Sequence, residues 1–155
     1  MCIVSDPPAL LAIFKRDHER HADFSHIGDW VIKGNGKFVM GGTLYKQELA
    51  HLKSLVPLIA ELKRKNKIVS ADDVAIDARV KELKVLEPSK DFDDPHLVAL
   101  SSTTGCKIIG IIDPRAHRFL RRGDFYARLR DRPNLYTRAK NAHLLNPKNI
   151  AKCCK

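Results

Sequence analysis

Apolar residues in this chain fall into short runs, and the stretches between them carry helical spacing. Residues 2–5 (Cys-Ile-Val-Ser) form the first run, which stops at Asp6-Pro7-Pro8, and apolar positions resume from Ala9 to Phe14. The pattern predicts strand, turn and helix, with the prolines ending the strand and opening the helix in its first turn. Residues 17–26 are polar and rich in histidine and 27–32 are mixed. Gly34-Asn35-Gly36 is a turn signal ahead of Lys37-Phe38-Val39-Met40, the expected second strand. After Gly41-Gly42-Thr43 come Leu44, Leu49, Leu52, Leu55, Val56, Ile59 and Leu62, one stripe of a helix that Pro57 should kink or break. A minor strand is expected at 67–69. Ser70 and Asp73 resemble a capping box for a helix running through Leu83, and residues 84–87 read as a further strand. An acid-rich loop spans 88–95, a short helix runs from His96 to Gly105, and Lys107-Ile108-Ile109-Gly110-Ile111-Ile112 is a buried strand that ends at Asp113-Pro114. A helix at 116–130 and an edge strand at 134–137 complete the reading.

Apolar runs with little alternation, each separated by a helix, are the signature of a mostly parallel sheet covered on both faces, so the fold class expected is α/β. With 155 residues, 44% of them hydrophobic, the chain has the size of one ordinary domain; a domain at 1–138 followed by a basic tail at 139–155 is the expected division. No stretch approaches the length of a membrane span, and the opening Met1-Cys2-Ile3-Val4-Ser5-Asp6 lacks the basic-then-apolar order of a signal peptide, so no membrane partner and a cytoplasmic location are expected. The four cysteines, Cys2, Cys106, Cys153 and Cys154, show no Cys-x-x-Cys spacing. They suit a reducing compartment, with Cys2 and Cys106 as small core residues and the adjacent pair poorly placed for an ordinary disulfide or zinc site.

Charge changes the picture. Residues 1–113 hold 16 Lys+Arg against 16 Asp+Glu, whereas 114–155 hold 12 Lys+Arg against only Asp124 and Asp131, so the whole net charge of +10 is C-terminal. Such a block suits a polyanion, of which nucleic acid is the commonest, or else a solvated tail. Arg115, Arg118, Arg121 and Arg122 are the candidates to meet phosphates.

The acids are separated in sequence but share a structural context. In open parallel sheets the functional crevice lies beyond the carboxyl ends of the strands. Asp6 and Asp113 both stand there, Asp94 opens a helix returning from the same edge, and Glu48 falls inside an apolar helical stripe, where an unpaired charge is costly. Four converging carboxylates repel one another and call for a hard cation, Mg²⁺ or Mn²⁺. Such an ion activates water against a phosphodiester.

These residues resemble the PIN-domain nucleases. The resemblance rests on strand-terminal Asp6, on Tyr45-Lys46-Gln47-Glu48-Leu49, on Asp93-Asp94-Pro95-His96-Leu97-Val98-Ala99-Leu100 and on the strand ending in Asp113. It covers about residues 2–138. It implies a three-layer α/β/α sandwich around a parallel sheet of about five strands, one or two Mg²⁺ or Mn²⁺ ions, and hydrolysis of RNA by a metal-bound water. Asp6, Glu48, Asp94 and Asp113 would then be ligands, with Asp93 an auxiliary. The class includes toxins of toxin–antitoxin pairs, so an inhibitor (antitoxin) protein and a homodimer join RNA as expected partners. Pro7 and Pro8, and Ile111 two residues before Asp113, stand where the family often carries hydroxyl or other small polar residues.

Two other readings compete. One keeps the fold but not turnover, as an RNA-binding or protein-interaction module. The other, an aspartyl-nucleophile phosphohydrolase at Asp6, lacks the second acid two residues on, where Pro8 stands. His96 reads as a packed core histidine satisfied by backbone, with donation to a neighbouring acid as the alternative. His18 and His21 read as surface residues rather than a metal pair, and Gly34-Asn35-Gly36 lacks the Lys-Ser/Thr of a phosphate loop.

Overall fold

The computed structural model describes residues 1–149 and 151–154. Its strands are short and apolar: β1 (Cys2–Ser5), β2 (Lys37–Met40), β3 (Ile68–Ser70), β4 (Ile108–Gly110) and β5 (Asn134–Tyr136). They form one sheet in the order β3-β2-β1-β4-β5, and every pairing is parallel. Successive side chains of a strand point to opposite faces. In β1 all four residues are nevertheless buried, as are all three of β4, so both faces of the central sheet are covered and the fold is an α/β/α sandwich. This agrees with the fold class and the sheet of about five strands expected from the sequence.

The helices are α1 (Pro7–Phe14), α2 (His21–Ile32), α3 (Thr43–His51), α4 (Val56–Arg64), α5 (Asp73–Leu86), α6 (Pro95–Thr104) and α7 (His117–Leu120). α1 packs on α2 and α5 on α6, while α3 touches α1, α5 and α6. The core runs through Ile3, Val4, Leu10, Phe24, Phe38, Tyr45, Leu97, Leu100, Ile109 and Tyr136, all fully buried. Among the described residues no helix is long and apolar enough to cross a membrane.

Several elements differ from the sequence reading. Helix α2, which buries Phe24, Ile27 and Val31, lies in the stretch whose polar start and mixed end masked its periodicity. The long stripe after Gly42 is two helices, and Pro57 sits in the first turn of α4, where its missing N–H costs nothing, so it starts a helix rather than kinking one. Asp72, not Ser70, caps α5, its carboxylate accepting from the Val74 N–H at 3.0 Å. That helix continues through Leu86, with Glu87 as its C-cap, in place of the strand expected at 84–87. Val80 and Leu83 stay on its buried face, and Val85 and Leu86 point out at 82% and 50% exposure. Residues 116–130 are helical only at α7, followed by 3₁₀ turns at Gly123–Phe125 and Leu129–Asp131. These turns bury Phe125 and, just beyond the first of them, Tyr126.

The segment set apart as a basic tail packs on the domain. A 3₁₀ turn at Ala139–Leu144 lies against α2 and β5, and Ala151 is buried. Beyond it Cys154 forms a disulfide with Cys2 across a separation of 152 residues, their Cα atoms 6.0 Å apart. Free Cys153 stands beside it, its sulfur 3.6 Å from that of Cys2 and 3.4 Å from that of Cys154. The expectation of four reduced cysteines is corrected here, because the fold returns the C-terminal segment to the first strand. Cys106 is free and buried, as expected.

Candidate metal centre

Three Asp-Pro dipeptides, Asp6-Pro7, Asp94-Pro95 and Asp113-Pro114, each stand at the start of a helical element. Proline disfavours the helical region for the residue before it and presets the first helical turn. Each aspartate is therefore held at the N-cap position, where its carboxylate ordinarily accepts from an orphan N–H of the helix. Asp113 does so, accepting from the Arg115 N–H at 2.9 Å. Asp6 and Asp94 make no side-chain capping bond. Nor does either carboxylate meet a cationic side chain within ion-pair distance among the described residues. Asp6 is only 6% exposed.

Glu48 is brought to them by α3. Gly42, with φ +84°, opens that helix in a conformation suited to glycine, and a Cβ there would lie 2.4 Å from Ile76 Cγ2. The Gly42 N–H donates to Asp73 Oδ1 at 2.8 Å and the Thr43 N–H to Asp77 Oδ1 at 2.8 Å, so carboxylates of α5 cap α3. Buried Tyr45 then donates its hydroxyl hydrogen to the Ser5 carbonyl at 2.6 Å, tying α3 to the end of β1 beside Asp6. One turn on, Glu48 is half-buried rather than fully enclosed in the stripe, its side chain 40% exposed.

Electrostatics show that the acids share a field. Burial first, then Asp94, Glu48, Asp113 and Asp93 in that order, push the Asp6 carboxyl up to about 8. Burial likewise pushes Asp94 up to about 6; His96 opposes the shift, while Asp93, Glu48 and Asp113 add to it. Asp113 goes the other way, because Arg115 holds it low by a two-point contact, Nε and Nη2 to the carboxylate at 3.0 and 2.7 Å. Asp6 and Asp94 thus both feel Glu48, Asp113 and exposed Asp93. Among the described residues Glu48 and Asp94 bring ligand atoms close together, Asp6 and Asp113 lie outside that group, and Asp113 is engaged by Arg115.

His96 is the residue the sequence reading undervalued. It lies in the first turn of α6, fully buried, with neither ring nitrogen hydrogen-bonded among the described residues. Its Nε2 lies 3.3 Å from Glu48 Oε2, within ion-pair distance but without hydrogen-bond geometry. A ring nitrogen of His96 and one carboxylate oxygen each of Glu48 and Asp94 lie within 4.8 Å of one another. In contrast, the ring of His21 contacts the Ala12 carbonyl, and His18 Nδ1 accepts from the Arg20 N–H.

The arginines are distributed around this margin. Arg118 pairs with Asp91 and stacks on Phe119, and Arg122 bridges Glu87 and Asp124 over the Phe125 ring. Arg121 is exposed and has no ion pair among the described residues. A cavity of about 410 Å³ is lined by Lys90, Asp91, Asp93, Arg115 and Arg118. A neighbouring one of about 490 Å³ includes Glu87, Arg118 and Arg122.

Among the described residues Glu48, Asp94 and His96 have the spacing of a group that could hold a metal ion; Asp6, also without a capping or ion-pair partner, lies outside it. No family model matches the chain, and no curated protein or solved structure matches it either.

Proposed function

We propose that the chain is a metal-dependent endoribonuclease of the PIN-domain kind, with Asp6, Glu48, Asp94 and Asp113 as its metal-holding acids. The observation that carries this reading is the behaviour of Asp6 and Asp94. Both occupy cap positions yet leave the cap unmade, and their carboxyls face other acids instead. Burying carboxylates together is costly unless one keeps its proton or a cation joins them, and an ion taking the place of the Asp6 proton is what supports this reading.

A bound Mg²⁺ or Mn²⁺ would supply a water of lowered pKa and would neutralise charge developing on the phosphodiester. The chain's own residues do the rest. Asp6 and Asp94, held by Asp-Pro turns on different elements, fix the position of the centre, and Glu48 reaches it from α3. Arg115 and Arg118 flank the adjoining cavity, where a phosphate can exchange places with the carboxylates that now hold the two guanidiniums. Exposed Arg121, and Arg122 once released from Glu87 and Asp124, would extend the basic margin for further phosphates.

The test is cleavage of single-stranded and hairpin RNA with Mn²⁺ or Mg²⁺. Activity should disappear on chelation and fall at least about a hundredfold in Asp6→Asn and Asp94→Asn. Full cleavage by Asp6→Asn would remove that residue from the mechanism. One observation favours a second reading, a PIN-like RNA-binding or protein-interaction module without turnover: the Asp113 carboxylate is already occupied by Arg115. That reading requires salt-sensitive RNA binding with no cleavage under any divalent ion.

A further inference from the structure

We propose that His96 supplies a nitrogen ligand at the Glu48–Asp94 end of the acid cluster, making this subsite selective for a first-row transition ion such as Mn²⁺ or Co²⁺ over Mg²⁺. The inference rests on the reading of the cluster as a metal centre and adds to it the class of ion.

Three observations carry it. His96 is fully buried and neither ring nitrogen has a hydrogen-bond partner among the described residues. A buried imidazole without a hydrogen bond, with the Glu48 carboxylate as its charged neighbour, loses most of its solvation, and metal ligation is one of the few arrangements that restores it. Its Nε2 faces Glu48 at 3.3 Å. The third observation is spacing: one nitrogen and two carboxylate oxygens lie within 4.8 Å of one another. Ligands about 2.1 Å from a common ion stand about 3 Å apart in cis and about 4.2 Å in trans. Donors at the observed spacing therefore close on an ion with side-chain adjustments of under about 1 Å.

The chemistry then decides between ions. Mg²⁺ prefers oxygen ligands and retains its waters, whereas first-row transition ions also accept imidazole, Mn²⁺ the least strongly of them and Co²⁺ more so. The remaining acids do not discriminate in this way. His96 is placed to do so because it follows Asp94 by two residues in the first turn of α6. It packs beside the Tyr45 ring, at 6.0 Å between centroids.

The experiment compares Mn²⁺, Co²⁺ and Mg²⁺ binding to the full chain by calorimetry, and measures the pulsed EPR spectrum of the Mn²⁺ form. Wild type should bind Mn²⁺ about tenfold or more tightly than Mg²⁺ and show ¹⁴N coupling to the ion. His96→Gln and His96→Leu should lose the coupling and about tenfold of Mn²⁺ affinity, with Mg²⁺ affinity changed less than about threefold. Should neither variant fold, a wild-type crystal soaked in Mn²⁺ decides: an anomalous peak about 2.2 Å from a His96 nitrogen supports the assignment, and a peak among the carboxylates alone overturns it. An unchanged Mn²⁺/Mg²⁺ ratio in a folded His96→Leu variant overturns it too. The two readings separate cleanly. Nitrogen coupling without RNA cleavage keeps the ligand and discards the nuclease, whereas Mg²⁺-supported cleavage without nitrogen coupling does the reverse.

Discussion

Replacing Asp6 by asparagine should stabilise the metal-free protein near neutral pH, although it removes a residue from the proposed site. Burial and the surrounding acids push the Asp6 carboxyl from its ordinary 3.8 up to about 8. The folded state thus retains a proton that the unfolded chain releases between those values. Stability changes with pH in proportion to the protons bound by the unfolded state minus those bound by the folded one, so it falls as pH rises from about 4 to about 8. At about 1.4 kcal/mol per pH unit, the three units separating pH 7 from the unfolded value set an upper bound of about 4 kcal/mol. Relaxation around the charge and entry of water reduce this, and about 2 kcal/mol is the expected gain for Asp6→Asn. In a domain of this size that is a rise of about 4–8 °C in Tm. The assay is thermal and urea unfolding of both proteins in EDTA at pH 4, 6 and 8. The gap should be near zero at pH 4 and widest at pH 8. Saturating Mn²⁺ should narrow it, because an ion at about 100 times its Kd adds about 2.7 kcal/mol to the wild type and less to a variant missing a ligand. A variant that unfolds before wild type at pH 8 in EDTA, or a gap independent of pH, would refute the reasoning.

Three further outcomes follow from the framework. Tyr45→Phe leaves the buried Ser5 carbonyl without its donor and should cost about 1–3 kcal/mol in urea unfolding; an unchanged midpoint would mean that another donor replaces the hydroxyl. Cys153→Ser/Cys154→Ser opens a link spanning 152 residues and should cost about 2–5 kcal/mol, with dithiothreitol lowering the wild-type Tm to match and leaving the variant unmoved. Gly42→Ala must accept a positive φ and a contact of 2.4 Å with Ile76. It should lose about 2 kcal/mol or more by the same measurement, whereas Gly105→Ala, with open space around its Cβ site, should lose only the strain of its left-handed backbone, about 1 kcal/mol.

The places of the acids in the fold were legible because their signals are local. Asp6 and Asp113 follow apolar runs directly, Asp94 precedes a proline and a helical pattern, and Glu48 interrupts an apolar stripe. His96 was not legible as more than a core residue, since within His96-Leu97-Val98-Ala99-Leu100 it looks like one more inward position. Its lack of a backbone partner and its approach to Glu48 are tertiary facts. The same holds for the link from Cys2 to Cys154, which depends on where the sheet returns the last residues. Helix α2 was hidden by Asp23, Ser25, His26 and Asp29 among its apolar positions. The expected strand at 84–87 arose because Val85 and Leu86 are apolar but exposed, and composition alone does not reveal which side of a helix faces water. The pairing of Arg115 with Asp113 likewise depends on a 3₁₀ turn that charge counting does not anticipate.

The parallel order with β1 at its centre also sets the order of events during synthesis. Val4 and Ser5 pair with Ile109 and Gly110, so the strand made first waits for more than a hundred residues before its second neighbour exists. Contacts this distant in sequence form late and slowly. Asp94 and Asp113 flank that late strand, and the cluster of acids therefore comes together only when the sheet closes. A partly made chain carries Asp6 and Glu48 but not Asp94 and Asp113, so the proposed centre forms only once β4 has joined the sheet.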